Sequence, residues 1–395
     1  MKRYTRACYH SLKSMTRAGL YIHIPFCRSR CSYCDFATGI YQGELAERYV
    51  TAVVEEIAGS ANIGSSVDTI YFGGGTPSLL TPAQLDRILS ALHKHFEVQP
   101  DTEVTLEMNP GTVTPAQLRA FRELGINRAS FGAQTFDDAE LAKLGRSHTS
   151  VETLETFQNL RAAGFDNVSF DLIAGLPGQT LAHWQKNVDR ALALDPEHLS
   201  FYLLEVHSGT PLADHIRRGL QPRPDEDLAA EMYEWMLERA AQAGYEHYEI
   251  SNLCKPGFSS RHNTKYWTGA PYYGFGCSAH SFDGPSVDKG PRRWSNQRDV
   301  LRYVEAVEQR ASPIVEQQEL SDGDLRAEAL FLGMRMMRGV DLRQYSEIFG
   351  VDLRAEHRDE LDRFHEAGLV EFDGDLIRLT RNGALMSNEV FAAFV

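Results

Sequence analysis

Several things are scarce in this 395-residue chain, and each scarcity excludes a class of protein. No apolar run approaches the ~20 residues that a membrane-spanning helix needs; the longest are strand-sized. Positive charge is short, 40 Lys and Arg against 54 Asp and Glu. The resulting formal net charge of −14 argues against nucleic-acid binding, which needs a basic face. Cysteine is rare: Cys8, Cys27, Cys31, Cys34, Cys254 and Cys277. No apolar signal-peptide core precedes them, which argues against a secreted disulfide framework. With 43% hydrophobic and 24% charged residues and no low-complexity stretch, the chain has the composition of a large globular domain plus a smaller one.

Acid is absent from the first 34 residues, which hold seven Lys or Arg (Lys2, Arg3, Arg6, Lys13, Arg17, Arg28 and Arg30). A basic, acid-free start is the look of an organelle transit segment. The preferred reading is an upstream start codon, with Met15 opening the protein just ahead of its first strand. Residues 1–17 are therefore taken as a basic extension, and the expected location is the cytoplasm, with the mitochondrion as the alternative.

Short β-rich runs alternate with amphipathic helical patterns through the first 250 residues. The runs are Leu20–Ile24, Thr69–Phe72, Val104–Glu107, Arg128–Phe131, Val168–Ile173 and Leu199–Leu204. Between them lie Glu44–Ile57, Pro82–His95, Pro115–Leu124, Val151–Ala163 and Leu181–Leu194, with Asp227–Ala243 after the last. Thr81-Pro82, Thr114-Pro115 and Thr149-Ser150 are helix-start signals. This alternation predicts an α/β fold, an incomplete (β/α)6 barrel of parallel strands over residues 18–250. Residues 254–296 are rich in Gly and Pro and read as irregular, within a segment 251–319. Residues 320–395 predict helices at Leu325–Met337, Leu342–Phe349 and Leu353–Ala367. A hairpin follows, Leu369–Phe372 and Leu376–Leu379 around Asp373-Gly374-Asp375, giving a small winged-helix-like α+β domain. Residues 321–395 carry fifteen Asp or Glu, nine Arg and no Lys, a surface that repels phosphates and fits a packing or partner domain.

The sequence from Tyr21 to Phe36 places Cys27, Cys31 and Cys34 at C-x3-C-x2-C spacing directly after a strand. Closed zinc sites and iron–sulfur cubanes normally take four protein ligands. Three thiolates leave one iron of a [4Fe–4S] cluster free for an exchangeable ligand. The alternatives are a zinc knuckle completed by a distant residue, or three buried structural cysteines. Other chemistry-bearing residues fall at the carboxyl ends of successive strands, where a parallel barrel gathers its site. Gly73-Gly74-Gly75-Thr76 allows close backbone approach and offers N–H groups to a carboxylate. Strand three ends at Glu107, strand four runs into Gln134, strand five carries Asp171, and Glu205 lies near the end of the sixth. Arg146 is placed to neutralise one of these acids or clamp a ligand carboxylate, unless it is only a surface helix arginine. The Gly-rich turn plus downstream acid of a dinucleotide site is missing.

The three-cysteine motif resembles that of the radical-SAM superfamily, whose members bind S-adenosylmethionine on the fourth iron. The whole set of strings, in order and over nearly the whole chain from Tyr21 onward, resembles the anaerobic coproporphyrinogen III oxidase-like family. The resemblance implies S-adenosylmethionine contacts at Tyr21, Gly74, Gly75, Thr76, Glu107, Gln134, Arg146 and Asp171. Tyr21, Gly75 and Thr76 can alternatively face a second such molecule or the substrate, and Glu205 matches a further family contact in place but not in residue type.

Two features separate branches of that family. The oxidases continue their motif to a fourth cysteine, where this chain has Phe36. The string Arg261-His262-Asn263-Thr264-Lys265-Tyr266-Trp267 resembles the H-N-x-x-Y-W of the heme chaperone branch. That resemblance implies heme as a third ligand, an acceptor hemoprotein as partner, membrane contact only through that acceptor, and self-association of cluster-loaded chains. His262 offers an axial imidazole and Tyr266 and Trp267 flat apolar faces, although a His-Asn pair also serves to satisfy backbone groups and Tyr-Trp to fill a core. Cys254 and Cys277 flank the string as alternative thiolates or small buried hydrophobes. The competing function is decarboxylation of coproporphyrinogen propionates by a 5′-deoxyadenosyl radical.

Overall fold

The six predicted strands share one alternation. In β1 (Ala18–Ile24) Leu20, Ile22 and Ile24 are fully buried against the outer helices, while Tyr21 and His23 point to the other face. Two-residue strands β2 (Phe26–Cys27) and β3 (Gly39–Ile40) pair within the loop that follows. The same period runs through β4 (Ser66–Gly74), β5 (Glu97–Met108), β6 (Arg128–Gln134), β7 (Val168–Ala174) and β8 (His198–Leu203). Ile70, Phe72, Leu106, Phe131, Phe170 and Leu199 face the helices. Tyr71, Glu107, Ser130, Asp171 and Tyr202 face inward. Burying each large outward side chain stabilises the fold by about 1.5–3 kcal/mol.

The computed structural model describes residues 17–284 and 290–394, so all of the N-terminal extension but Arg17, with Cys8 and Met15, lies outside the described residues. Strands β1, β4, β5, β6, β7 and β8 lie side by side in that order and are all parallel, as expected. Thr81, Thr114 and Thr149 each cap a connecting helix (Pro82–His95, Pro115–Glu123 and Ser150–Ala162) with a reciprocal capping box.

Residues 254–296, read as irregular, instead extend the sheet. β9 (Glu246–Glu249) and β10 (Asn252–Cys254) join antiparallel beyond β8. β11 (Tyr272–Phe275) pairs parallel with β1, and β12 (His280–Asp283), β13 (Arg292–Asn296) and β14 (Ile314–Glu319) continue antiparallel, giving twelve strands.

The H-N-x-x-Y-W string is not in a loop either: it forms the helix Arg261–Thr268, capped by Ser260 and ended by Gly269 in the left-handed region. The carboxylate of Glu103 accepts from the Arg261 and His262 N–H groups at its first turn, at 3.2 and 3.1 Å. Lys265 pairs with Asp68 at 2.6 Å. A Cβ on Gly19 would meet Thr69 Oγ1, Lys265 and His262 within 2.8–3.1 Å, so only glycine lets this helix sit so close. Gly19, Thr69 and Glu103 pair at one level of the sheet, toward the amino ends of β1 and β4. The helix therefore stoppers the barrel at the end opposite the cysteine loop.

The C-terminal domain has a separate core around Leu330, Leu361, Val370 and Ile377. Its hairpin is β16 (Val370–Asp373) and β17 (Leu376–Leu379), turned at left-handed Gly374 and joined by a short β15 (Val340–Asp341). The helix expected at Leu353–Ala367 breaks at His357 into Leu353–Glu356 and Arg358–Glu366. Two further helices, Arg381–Leu385 and Ser387–Ala392, close the domain. No helix among the described residues is long and apolar enough to cross a membrane.

Candidate functional site

The three cysteines sit on one loop between β1 and the helix Gly43–Ala58, moored at several points. Ser32 N–H donates to Leu144 O at 2.9 Å, and Leu212 N–H donates to Ser32 O at 2.8 Å. Arg28 donates to the carbonyls of Gly111 and Thr112. Cys27, Cys31 and Cys34 all open on a cleft of ≈ 460 Å³ at the carboxyl ends of the barrel strands. Its walls also carry Tyr21, Gly74, Gly75, Glu107, Gln134, Arg146, Asp171 and Glu205. The structure thus gathers eleven sequence-predicted residues in one place.

Thr76 and His262 are not on these walls. Thr76 is buried behind Cys27; its hydroxyl donates to Cys27 Sγ at 3.7 Å and accepts from Asn109 Nδ2 at 2.8 Å. Asn109 Oδ1 in turn accepts from Arg146 at 2.7 Å. Arg146 also donates to Gly132 O at 2.6 Å and to Cys31 Sγ at 3.5 Å. It is neither a surface arginine nor, as found, an ion-pair partner of Glu107 or Asp171: its fork ties the cysteine loop to β6. Asn109 went unnoticed in the sequence, although its place directly after β5 was a usable signal.

The glycine triplet works differently from expectation. Gly74 N–H donates to Glu107 at 3.1 Å, Gly75 N–H to Ile24 O at 2.8 Å and Thr76 N–H to Phe26 O at 2.7 Å. These groups are engaged within the protein, not offered to a ligand carboxylate. The glycines instead permit contact: a Cβ on Gly75 would lie 2.7 Å from Phe26 O. Gln134 adopts φ 63° at a bulge in β6, a conformation that costs a non-glycine residue energy and that turns its amide into the cleft.

Burial sets the charges. Glu107 accepts from Tyr71 Oη at 2.7 Å, yet burial, aided by the nearby charge of Asp171, raises its pKa to about 7. Burial also raises Asp171. Burial pushes the Cys27 thiol up to about 11 and raises Cys34, so iron must displace protons to bind. Among the described residues no three His, Cys, Asp or Glu side chains are already gathered around one point as metal ligands. The donor set nonetheless fits a site-differentiated cluster: three thiols face one cleft, and Thr76 and Arg146 donate to two of the sulfurs. Phe36, where a fourth thiol would stand, is 63% exposed at the cleft mouth.

His262 lies under the barrel floor. Its Nδ1 pairs with Thr69 Oγ1 and its Nε2 with Tyr266 Oη, both at 2.9 Å, and its ring stacks on Tyr71 at 5.1 Å. Burial lowers its pKa to about 3. Neither nitrogen is free for an iron as the chain stands. Trp267 lies beneath Arg335 of the C-terminal domain, 4.2 Å from guanidinium carbon to ring centre. Cys254 and Cys277 are buried, the latter against Tyr49.

Comparison with known proteins agrees with this geometry. Residues 21–191 match the radical SAM superfamily, and residues 320–386 match the HemN C-terminal domain. The fold superposes on the coproporphyrinogen III oxidase HemN of Escherichia coli, a radical SAM enzyme, with TM-score 0.83 and 23% identity, covering 96% of this chain and 90% of that one. In sequence the chain is 36% identical to the heme chaperone HemW of Bacillus subtilis, over 95% of this chain and 98% of the relative. It is 35% identical to HemW of Lactococcus lactis, over 95% and 96% respectively. The [4Fe–4S] cluster and S-adenosylmethionine are accordingly cofactors of this chain, and the chain belongs to the heme chaperone HemW family of radical SAM proteins.

Proposed function

We propose that this chain binds heme and passes it to an acceptor hemoprotein, with the cluster and S-adenosylmethionine held in the barrel cleft. The observation that carries the reading is Phe36: the cleft brings together the three cysteines and seven of the eight residues that the resemblance implies as contacts, yet an exposed phenyl ring stands where the oxidases place a fourth thiol. End-to-end similarity to proteins named heme chaperones supports it.

The cluster, when bound, supplies an open iron for the methionyl amino and carboxylate groups. The chain's own residues do the rest. Arg146 and Thr76 hold two cysteines through their sulfurs, and Asn109 locks the two donors together. Glu107, half protonated near neutrality, and Asp171 receive the hydroxyl and amino groups of the ligand. The acceptor is a respiratory hemoprotein, reached in the cytoplasm; any membrane contact runs through it. Cluster-loaded chains self-associate.

The decisive experiment reconstitutes the cluster anaerobically, then assays heme binding and coproporphyrinogen decarboxylation on the same sample. Heme uptake without turnover is expected. Turnover to protoporphyrinogen would sink the carrier reading.

A further inference from the structure

The heme-binding reading leaves open where the iron is held, and His262 has both nitrogens engaged. We propose that His207, at the mouth of the cluster cleft, is the axial ligand, with the porphyrin lying on Phe36 and Tyr202. The inference rests on the heme-carrier reading and specifies its site.

Among the described histidines, His207 alone lines the cleft. It follows the end of β8 by four residues, and its side chain is 45% exposed. Nδ1 is 3.9 Å from Asp35 and Nε2 is 3.6 Å from Glu205. Both separations are too long for hydrogen bonds, so the ring is oriented without being consumed. When one nitrogen takes an iron, the carboxylate beside the other can close on its N–H. That carboxylate–histidine pairing fixes the tautomer and makes the ligand more basic. Both flanking acids are open to water at the rim, their side chains 51% and 70% exposed for Asp35 and Glu205.

Exposed apolar area collects at the same rim. Phe36 and Tyr202, 63% and 41% exposed, line the cleft together with Leu204, and Val206 adjoins His207. Aromatic rings left open to water around a cleft mark a ligand surface. A flat, largely apolar macrocycle with carboxylate arms suits them. Arg30, on the same wall, donates to Cys34 O at a long 3.4 Å and is placed to meet a propionate. The cleft, at ≈ 460 Å³, accommodates one nucleoside-sized ligand, so heme lies above it rather than within. This position also gives the retained cofactor site a purpose in a carrier: heme rests on the loop whose shape the cluster sets.

Hemin is titrated anaerobically into the cluster-loaded full chain, following the Soret band and the affinity. His207→Gly should shift the band and weaken binding at least tenfold, with iron content and melting temperature unchanged. Added imidazole should restore the wild-type band. Phe36→Asp should weaken binding with the band position kept, because it removes a face and not a ligand. His262→Ala should leave the band in place. A wild-type band and affinity in His207→Gly, or a band lost only in His262→Ala, overturns the assignment while leaving the carrier reading intact. If the wild-type chain takes no heme, the carrier reading itself falls.

Discussion

Replacing Gly75 with alanine tests whether the glycine triplet acts by contact. The added Cβ would lie 2.7 Å from Phe26 O, 2.9 Å from Pro25 C and 3.0 Å from Ile24 O. All three are backbone atoms of the strand end that launches the cysteine loop, so no side chain can swing away. Ordinary contact begins near 3.4 Å, and the two segments must part by about 0.4–0.7 Å. Overpacking of this kind costs about 1–3 kcal/mol, a sizeable part of a typical stability of about 5–15 kcal/mol. The parting also stretches the bonds from Gly75 N–H to Ile24 O and Thr76 N–H to Phe26 O, and with them the seat of Cys27. Anaerobic urea unfolding should show the loss, and iron analysis after reconstitution should show an incomplete cluster. Gly43→Ala is the control: nothing lies within 4 Å of its Cβ at the start of a helix, and its stability should hold or rise slightly. A Gly75→Ala protein with wild-type stability and full iron content would refute the contact argument.

The raised pKa of Glu107, about 7 against an ordinary 4.5, means that the folded chain keeps a proton which the unfolded chain has already lost in that window. Its contribution to stability therefore declines as pH rises from about 4.5 to about 7 and is level above. Buried His23 and His262, lowered to about 4 and about 3, act in the opposite sense below pH 6.5. The measurement is thus the difference between wild type and Glu107→Gln across pH, which should close toward acid; a difference independent of pH would dismiss the shifted carboxyl. Thr76→Val removes a donor from Cys27 Sγ and an acceptor from Asn109, costing about 1 kcal/mol. The reduction potential of the cluster, followed by redox titration, should fall with the lost bond to sulfur, and an unchanged potential would show that the hydroxyl does not tune it.

The six parallel strands were legible because each carries a strict two-residue alternation between a helix-facing and an inward set. Their helices were legible because threonine caps mark three of the starts. The cysteine loop and the strand-end acids followed from spacing and place. What escaped was set by distant partners. Glu103 and Gly19, far away in sequence, seat the helix Arg261–Thr268, and composition alone made its surroundings look irregular. The spent N–H groups of the glycine triplet and the bridge from Thr76 through Asn109 to Arg146 are likewise tertiary facts. His262 read as an open ligand because nothing local announces Thr69, 193 positions earlier.

The stopper helix closes the cleft from below, so a ligand held beside Glu107 and Asp171 faces the cysteine loop and the rim at Phe36 and Tyr202. A second ligand seated on that rim covers the first. Release is then coupled: a chaser added to the doubly loaded chain should exchange with the inner ligand more slowly than in a chain whose rim is empty.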